Sequence, residues 1–189
     1  MKTAIIVHGM PSKKEFFSKP NYRASEQQWV PWITEQLRNY GIEVHNPEMP
    51  VPYQPVYEKW SAVFETYPIN EETILVGHSC GAGFLVRWLS EHKVKVGKVV
   101  LVAPWIDPKH KDAPHMFNEL KIDNNIAERT AGLTEFISLD DDQEELTTLE
   151  ILKSKIKGLQ VKEFTDKGHF VIESMKTNEF PELLNFLIQ

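Results

Sequence analysis

The stretch Thr73-Ile74-Leu75-Val76-Gly77-His78-Ser79-Cys80-Gly81-Ala82-Gly83 decides the fold. Its apolar, β-branched start predicts a strand over Thr73–Gly77, and the spacing that follows predicts a helix over Ser79–His92. Between them lies G-x-S-x-G at Gly77, Ser79 and Gly81. At average Gly and Ser usage the bare string arises in roughly one chain of this length in fifteen, so the flanking elements carry the argument. A serine between a strand and a helix sits on a sharp turn that holds its hydroxyl out. The glycines serve a steric purpose there, because a Cβ cannot be accommodated where the turn presses on its neighbours.

Working outward, further strands are expected at Thr3–His8, Ile42–His45, Lys98–Ala103, Leu133–Leu139 and Leu159–Thr165. Ile5-Ile6-Val7 and Val99-Val100-Leu101-Val102 do not alternate, which suits parallel strands covered on both faces. Helical spacing falls between the strands. Trp29, Ile33, Leu37 and Tyr40 form one stripe over Glu26–Tyr40, closed by Gly41, and further helices are expected at Pro55–Glu65, Glu144–Lys157 and Pro181–Ile188. This alternation predicts a doubly wound, mostly parallel α/β sheet of about six strands with helices on both faces, and chemistry at the carboxyl ends of the strands. The length of 189 residues suits a single domain over 1–189.

Two post-strand stretches, Met10–Ser25 and Pro104–Gly132, are long for connections in a compact domain and are candidates for binding loops or lids. Their apolar residues Phe16, Phe17, Tyr22, Trp105, Met116 and Phe117 are candidate linings of a substrate pocket.

A serine hydroxyl needs a base, and the base needs an acid to orient it; in this architecture they follow the serine in the order acid, then histidine. His169 stands just past the last expected strand, after Gly168. Asp140, Asp141 and Asp142 stand just past the preceding one, and at most one of them can be the acid facing inward. His78 is expected to support the turn, and His110 and His115 belong to the second long loop. The N–H of Cys80, at the start of a helix, is one expected donor to an oxyanion. The second is expected from the loop after the first strand, at Met10, with Gly9 the alternative. The Cys80 side chain is a rival nucleophile that the turn would direct into the helix.

Taken together, these segments resemble the α/β-hydrolase superfamily, and within it the small capless serine hydrolases of the YdeN and retinoblastoma-binding-protein type. The resemblance rests on Ile5-Ile6-Val7-His8-Gly9, Trp29-Val30-Pro31-Trp32, Asn46-Pro47-Glu48-Met49-Pro50, the Gly77–Ala82 turn, Asp140-Asp141 and Gly168-His169-Phe170. It implies a Ser79–Asp141–His169 triad, no cofactor and no separate cap domain. Where the family usually has Pro and small apolar residues after the acid, this chain has Asp142-Gln143-Glu144-Glu145. The L-x-C-x-E segment through which the mammalian relative's namesake partner would be bound is missing, so that partner is not expected.

Charge and composition exclude other classes. Lys and Arg number 21 against 27 Asp and Glu, a net charge of −6, which is not the footprint of a nucleic-acid binder. No apolar run approaches the ~20 residues of a membrane span, and Met1–Gly9 is too soon interrupted for a signal peptide. A single cysteine excludes internal disulfides and multi-cysteine metal sites, and no metal is expected. The expectation is a cytoplasmic serine hydrolase, carboxylesterase-like, acting on a small-molecule acyl substrate as a monomer or small homo-oligomer. The alternatives are an acyltransferase with the same triad, an amidase or peptidase, and a binding module that keeps the fold without its chemistry.

Overall fold

A computed structural model describes residues 2–189. In chain order the elements are β1 (Thr3–Val7), α1 (Lys13–Phe16), α2 (Val30–Asn39), β2 (Glu43–His45), α3 (Tyr57–Phe64), β3 (Ile74–His78) and α4 (Cys80–Glu91). Then come β4 (Val99–Val102), α5 (Pro114–Phe117), β5 (Leu133–Ser138), α6 (Gln143–Lys155), β6 (Gln160–Phe164), α7 (Ile172–Met175) and α8 (Pro181–Ile188). The six strands form one sheet in the order β2-β1-β3-β4-β5-β6, and every neighbouring pair is parallel.

The non-alternating strand sequences have the expected cause. Ala4 and Ile6 of β1, Ile74 and Val76 of β3, and Val100 and Val102 of β4 pack under α2 and α8 with Trp29, Ile33, Leu37 and Phe180. Ile5, Val7, Leu75, Val99 and Leu101 turn the other way, onto Trp60 and Phe64 of α3 and Phe84 and Trp88 of α4. Each fully buried side chain of this kind contributes about 1.5–3 kcal/mol relative to exposure, so burial on both faces makes the central strands the most strongly held part of the sheet.

α2 starts at Val30, four residues later than the apolar stripe predicts. Gln28 has φ 58°, which breaks the helix, and Ala24–Glu26 form a separate 3₁₀ turn. Its other end is as expected: Gly41 has φ 75°, its N–H donates to the Arg38 carbonyl at 2.9 Å, and Ile42 N–H donates to the Leu37 carbonyl at 3.1 Å. That pair of bonds is a Schellman closure, which needs the left-handed residue.

The chain leaves β1 toward β2 on one side and β3 on the other, so strand order reverses between β1 and β3. A crevice opens at that reversal, at the carboxyl ends of both strands. Among the described residues no helix is long and apolar enough to cross a membrane.

Candidate active site

The turn between β3 and α4 is built by exclusion. A Cβ on Gly77 would lie 2.5 Å from the Cα of Ala82, and one on Gly81 would run into the carbonyl oxygens of Val7 and His8. Only glycine lets α4 start this close to β1. Ser79 takes the remaining strain, with φ 52° and ψ −122°, a conformation costing a non-glycine residue about 1–3 kcal/mol. It is locked by its own backbone: Ser79 N–H donates to the Val102 carbonyl at 2.9 Å, and its carbonyl accepts from Ala82, Gly83 and Trp105. Ser79 is partly exposed, whereas His78 and Cys80 on either side are buried.

Ser79 and His169 both line a cleft of about 190 Å³, together with Met10, Glu15, Tyr22 and Gln27. No hydrogen bond joins Ser79 to His169 in the free protein. The imidazole Nδ1 faces the Asp141 carboxylate at 3.1 and 3.2 Å, and that carboxylate is 2% exposed. A carboxylate only accepts, so Nδ1 carries the proton and Nε2 is left as the basic atom. Burial opposes charge on His169, but the hydrogen bond to Asp141 and the charges of Asp141, Glu145 and Asp142 outweigh it and hold its pKa above the ordinary value.

The loop bearing His169 is fastened at several points. Asp140 accepts from the Ser138 hydroxyl at 2.5 Å and from the Gly168 N–H at 3.1 Å, and the Ser138 oxygen also accepts from the Lys167 N–H at 3.0 Å. Gly168 has φ 49°, and a Cβ there would lie 2.7 Å from the Ser174 Cβ. His78 Nε2–H donates to the His169 carbonyl at 2.9 Å, and Trp29 Nε1–H donates to the Phe170 carbonyl at 3.1 Å. Burial and the positive His169 beside it push His78 down to about 3, so His78 is a neutral strut. Of the three aspartates, then, Asp140 anchors the histidine loop, Asp141 faces the ring, and Asp142 is exposed at the N-cap of α6.

On the β1 side the loop is held by His8. Its Nε2 accepts from the Met49 N–H at 3.0 Å, so Nδ1 carries the hydrogen and donates to the Gly9 carbonyl at 2.7 Å. Glu48 accepts from the N–H groups of Ala24 and Ser25 and from the Ser25 hydroxyl, which draws the end of the first long loop down onto the cleft. Among the described residues the N–H groups of Cys80 and Met10 have no acceptor. The Cys80 thiol is fully buried, and burial, reinforced by Asp107, pushes its pKa far up, so it is an inert core group.

The structure distributes the expected pocket-lining residues over several places. Tyr22 lines the cleft, its hydroxyl donating to Glu15 at 2.9 Å. Phe16 and Phe17 pack at a tilt against Tyr53, at centroid distances of 4.8 and 5.3 Å, and Phe16 also meets the Tyr22 ring edge-on at 5.7 Å. Trp105, Met116 and Phe117 belong to the core around α4. Gly83 leaves room for the Trp105 carbonyl and the Phe117 ring, Trp105 Nε1–H donates to Glu144 at 2.9 Å, and the buried Asp107 accepts three backbone N–H groups of its own loop. Within the Pro104–Gly132 stretch, Trp105, Ile106, Ala113, Met116, Phe117 and Ile126 are therefore packed into the core, away from the cleft that Ser79 and His169 line. The first long loop, by contrast, does border the cleft.

Glu145 escaped the reading of the sequence. It lies four residues after Asp141, in the first turn of α6, with its Oε1 3.8 Å from His169 Nδ1. That spacing, one helical turn from an acid at a helix start, was the available signal. Asp141, Glu145 and His169 form the one group of three acidic or imidazole side chains found close enough to share a cation among the described residues. With Nδ1 committed to Asp141, the trio reads as a proton-handling cluster.

A hydroxyl on a strained strand-to-helix turn and an imidazole held by a carboxylate whose side chain is 2% exposed line one cleft, an arrangement of the kind that serves serine chemistry on α/β-hydrolase folds. The chain matches the family described as serine hydrolase over residues 18–188, and it belongs to that family. It is similar to the putative hydrolase YdeN of Bacillus subtilis, 32% identical over 107 residues that make up 54% of this chain and 50% of YdeN. Similarity to the serine hydrolase RBBP9 of Rattus norvegicus is 26% over 165 residues, 82% of each chain. In shape it matches the crystal structure of the B. subtilis ydeN gene product with a TM-score of 0.81 at 23% identity, over 100% of this chain and 97% of that one. An α/β serine hydrolase without lid from Xanthomonas campestris matches with a TM-score of 0.60 at 14% identity, over 98% of this chain and 78% of that one.

Proposed function

We propose that this hydrolase cleaves small acyl esters through an acyl-enzyme on Ser79. The observation that carries the reading is the His169 ring, hydrogen-bonded at Nδ1 to the 2%-exposed Asp141 and lining the same cleft as the strained Ser79. The Ser79 oxygen attacks the ester carbonyl while His169 Nε2 takes the hydroxyl proton. The carbonyl oxygen becomes an oxyanion, met by the N–H groups of Cys80 and Met10. Collapse of this intermediate breaks the C–O bond to the alcohol, which leaves with the proton from His169. Water then repeats the sequence on the acyl-serine, giving the carboxylic acid and free Ser79. Asp141 keeps the imidazole in the productive tautomer and stabilises the imidazolium formed at each transfer. No step calls for a metal or a cofactor.

Cleft size supports a short acyl group as the substrate class. At about 190 Å³ the cleft is smaller than the ~300–1,000 Å³ of pockets for larger ligands, which suits a short acyl group. With p-nitrophenyl esters, turnover is expected to peak between acetate and butyrate, to fall ~10-fold or more by octanoate, and to vanish in Ser79→Ala. Octanoate turned over as fast as acetate would overturn the short-acyl assignment; activity retained by Ser79→Ala would overturn the acyl-enzyme.

A further inference from the structure

The imidazole nitrogen that faces Asp141 faces a second carboxylate as well. Glu145 Oε1 stands 3.8 Å from His169 Nδ1, against 3.1 Å for Asp141, and the Glu145 side chain is 10% exposed. Its Oε2 is buried and has no hydrogen-bond partner among the described residues. An acid serving only the start of a helix sits in water or on a cation, and the neighbouring Glu144 does so, pairing with Lys109 at 2.7 Å and with the Trp105 indole. Glu145 has neither.

The groups around Glu145 are of one sign apart from the imidazole. Asp141 and Asp142 approach from the β5–α6 connection and His169 from the connection after β6. The Thr148 hydroxyl one turn further along α6 is uncharged and itself unpartnered. From the segment after β4, Lys109 and Lys111 act on Glu144. His169 is thus the cationic partner within reach of the Glu145 carboxylate.

We infer that Glu145 is a positioning residue of the base, sharing one proton with His169 and so setting the pH at which the imidazole becomes free to act. The inference rests on the reading of His169 as the base. Burial pushes the Glu145 carboxyl up to about 7; the His169 charge pulls it down, and Asp141 and Asp142 push it up further. His169 is itself held above its ordinary value, and with the two groups 3.8 Å apart the proton on one affects the proton on the other. When Glu145 is ionised, its charge at 3.8 Å stabilises the imidazolium, and removing that charge lets the ring lose its proton at lower pH.

The test is an NMR titration of the His169 ring in the intact protein, wild type against Glu145→Gln and Glu145→Asp, with the acid limb of kcat/KM measured alongside. Glu145→Gln is expected to lower the His169 midpoint by about one pH unit, since an opposite charge within ~4–6 Å shifts a titration by ~1–3 units. The acid limb should move with it, and Glu145→Asp should restore part of the shift. An imidazole midpoint in Glu145→Gln within about 0.2 units of wild type would overturn the inference, as would a Gln variant whose fold changes while the Asp variant titrates no differently from it. The NMR arm does not depend on turnover. Inactive wild-type protein would thus defeat the proposed function while the His169 midpoints still decided the role of Glu145.

Discussion

Glu135 lies in the middle of β5, facing the layer under α6, with no solvent exposure and with both carboxylate oxygens unpartnered among the described residues. Burial raises its pKa to about 8; the Lys153 charge opposes this and the Glu150 charge adds to it. The folded state therefore holds a proton that the unfolded chain releases near ~4.5, the value for an unburied glutamate. Because the folded value is the raised one, the stability this proton confers is fully present below ~4.5 and is lost as pH rises toward ~8. The slope is ~1.4 kcal/mol per pH unit, so the two units between pH 5.5 and 7.5 amount to roughly 3 kcal/mol, a large share of the ~5–15 kcal/mol that holds a domain together. Glu135→Gln keeps the shape and does not titrate. Urea denaturation of both proteins at the two pH values should show wild type losing roughly 3 kcal/mol more than the variant on going to pH 7.5. Parallel pH dependence in the two proteins would refute the reasoning. β5 ends at Ser138, two residues before Asp140 and three before Asp141.

Asp140→Ala removes the acceptor for the Ser138 hydroxyl and the Gly168 N–H. Turnover of p-nitrophenyl acetate should fall by roughly 10-fold as the His169 loop loosens, with Asp142→Asn within about threefold of wild type; the reverse order would contradict the assignment of the three aspartates. In the proposed mechanism Cys80 supplies its backbone N–H alone, and its thiol is buried. Iodoacetamide should therefore leave native protein active, and Cys80→Ala should keep turnover within a few-fold; inactivation by alkylation at Cys80 would restore the thiol as a rival nucleophile.

The turn was legible in the sequence from its neighbours, an apolar strand run before Gly77-His78-Ser79-Cys80-Gly81 and helical spacing after it. The structure adds why glycine stands at both ends, since a Cβ on Gly77 or Gly81 would meet backbone at overlap distance. The sheet followed from runs such as Val99–Val102 that have no polar face to give to water. What long-range packing decides was hidden. Trp105, Met116 and Phe117 look the same in sequence whether they line a pocket or fill a core. Gly83 lies beneath Trp105 and Phe117, 22 and 34 positions away by number, and lets both pack against α4. Asp140 and Asp141 are adjacent and alike, and they differ because the Gly168 N–H meets one and the imidazole the other. Glu145 reads as an ordinary helix-start acid until the loop after β6 lays His169 against it.

Fluorophosphonate labelling of wild type and Ser79→Ala, with the modified peptide mapped by mass spectrometry, tests the central claim most directly. The account predicts one label, on Ser79, lost in the variant and strongly slowed in His169→Ala. Folded wild type that stays unlabelled, or a label on another residue that persists in Ser79→Ala, would contradict it.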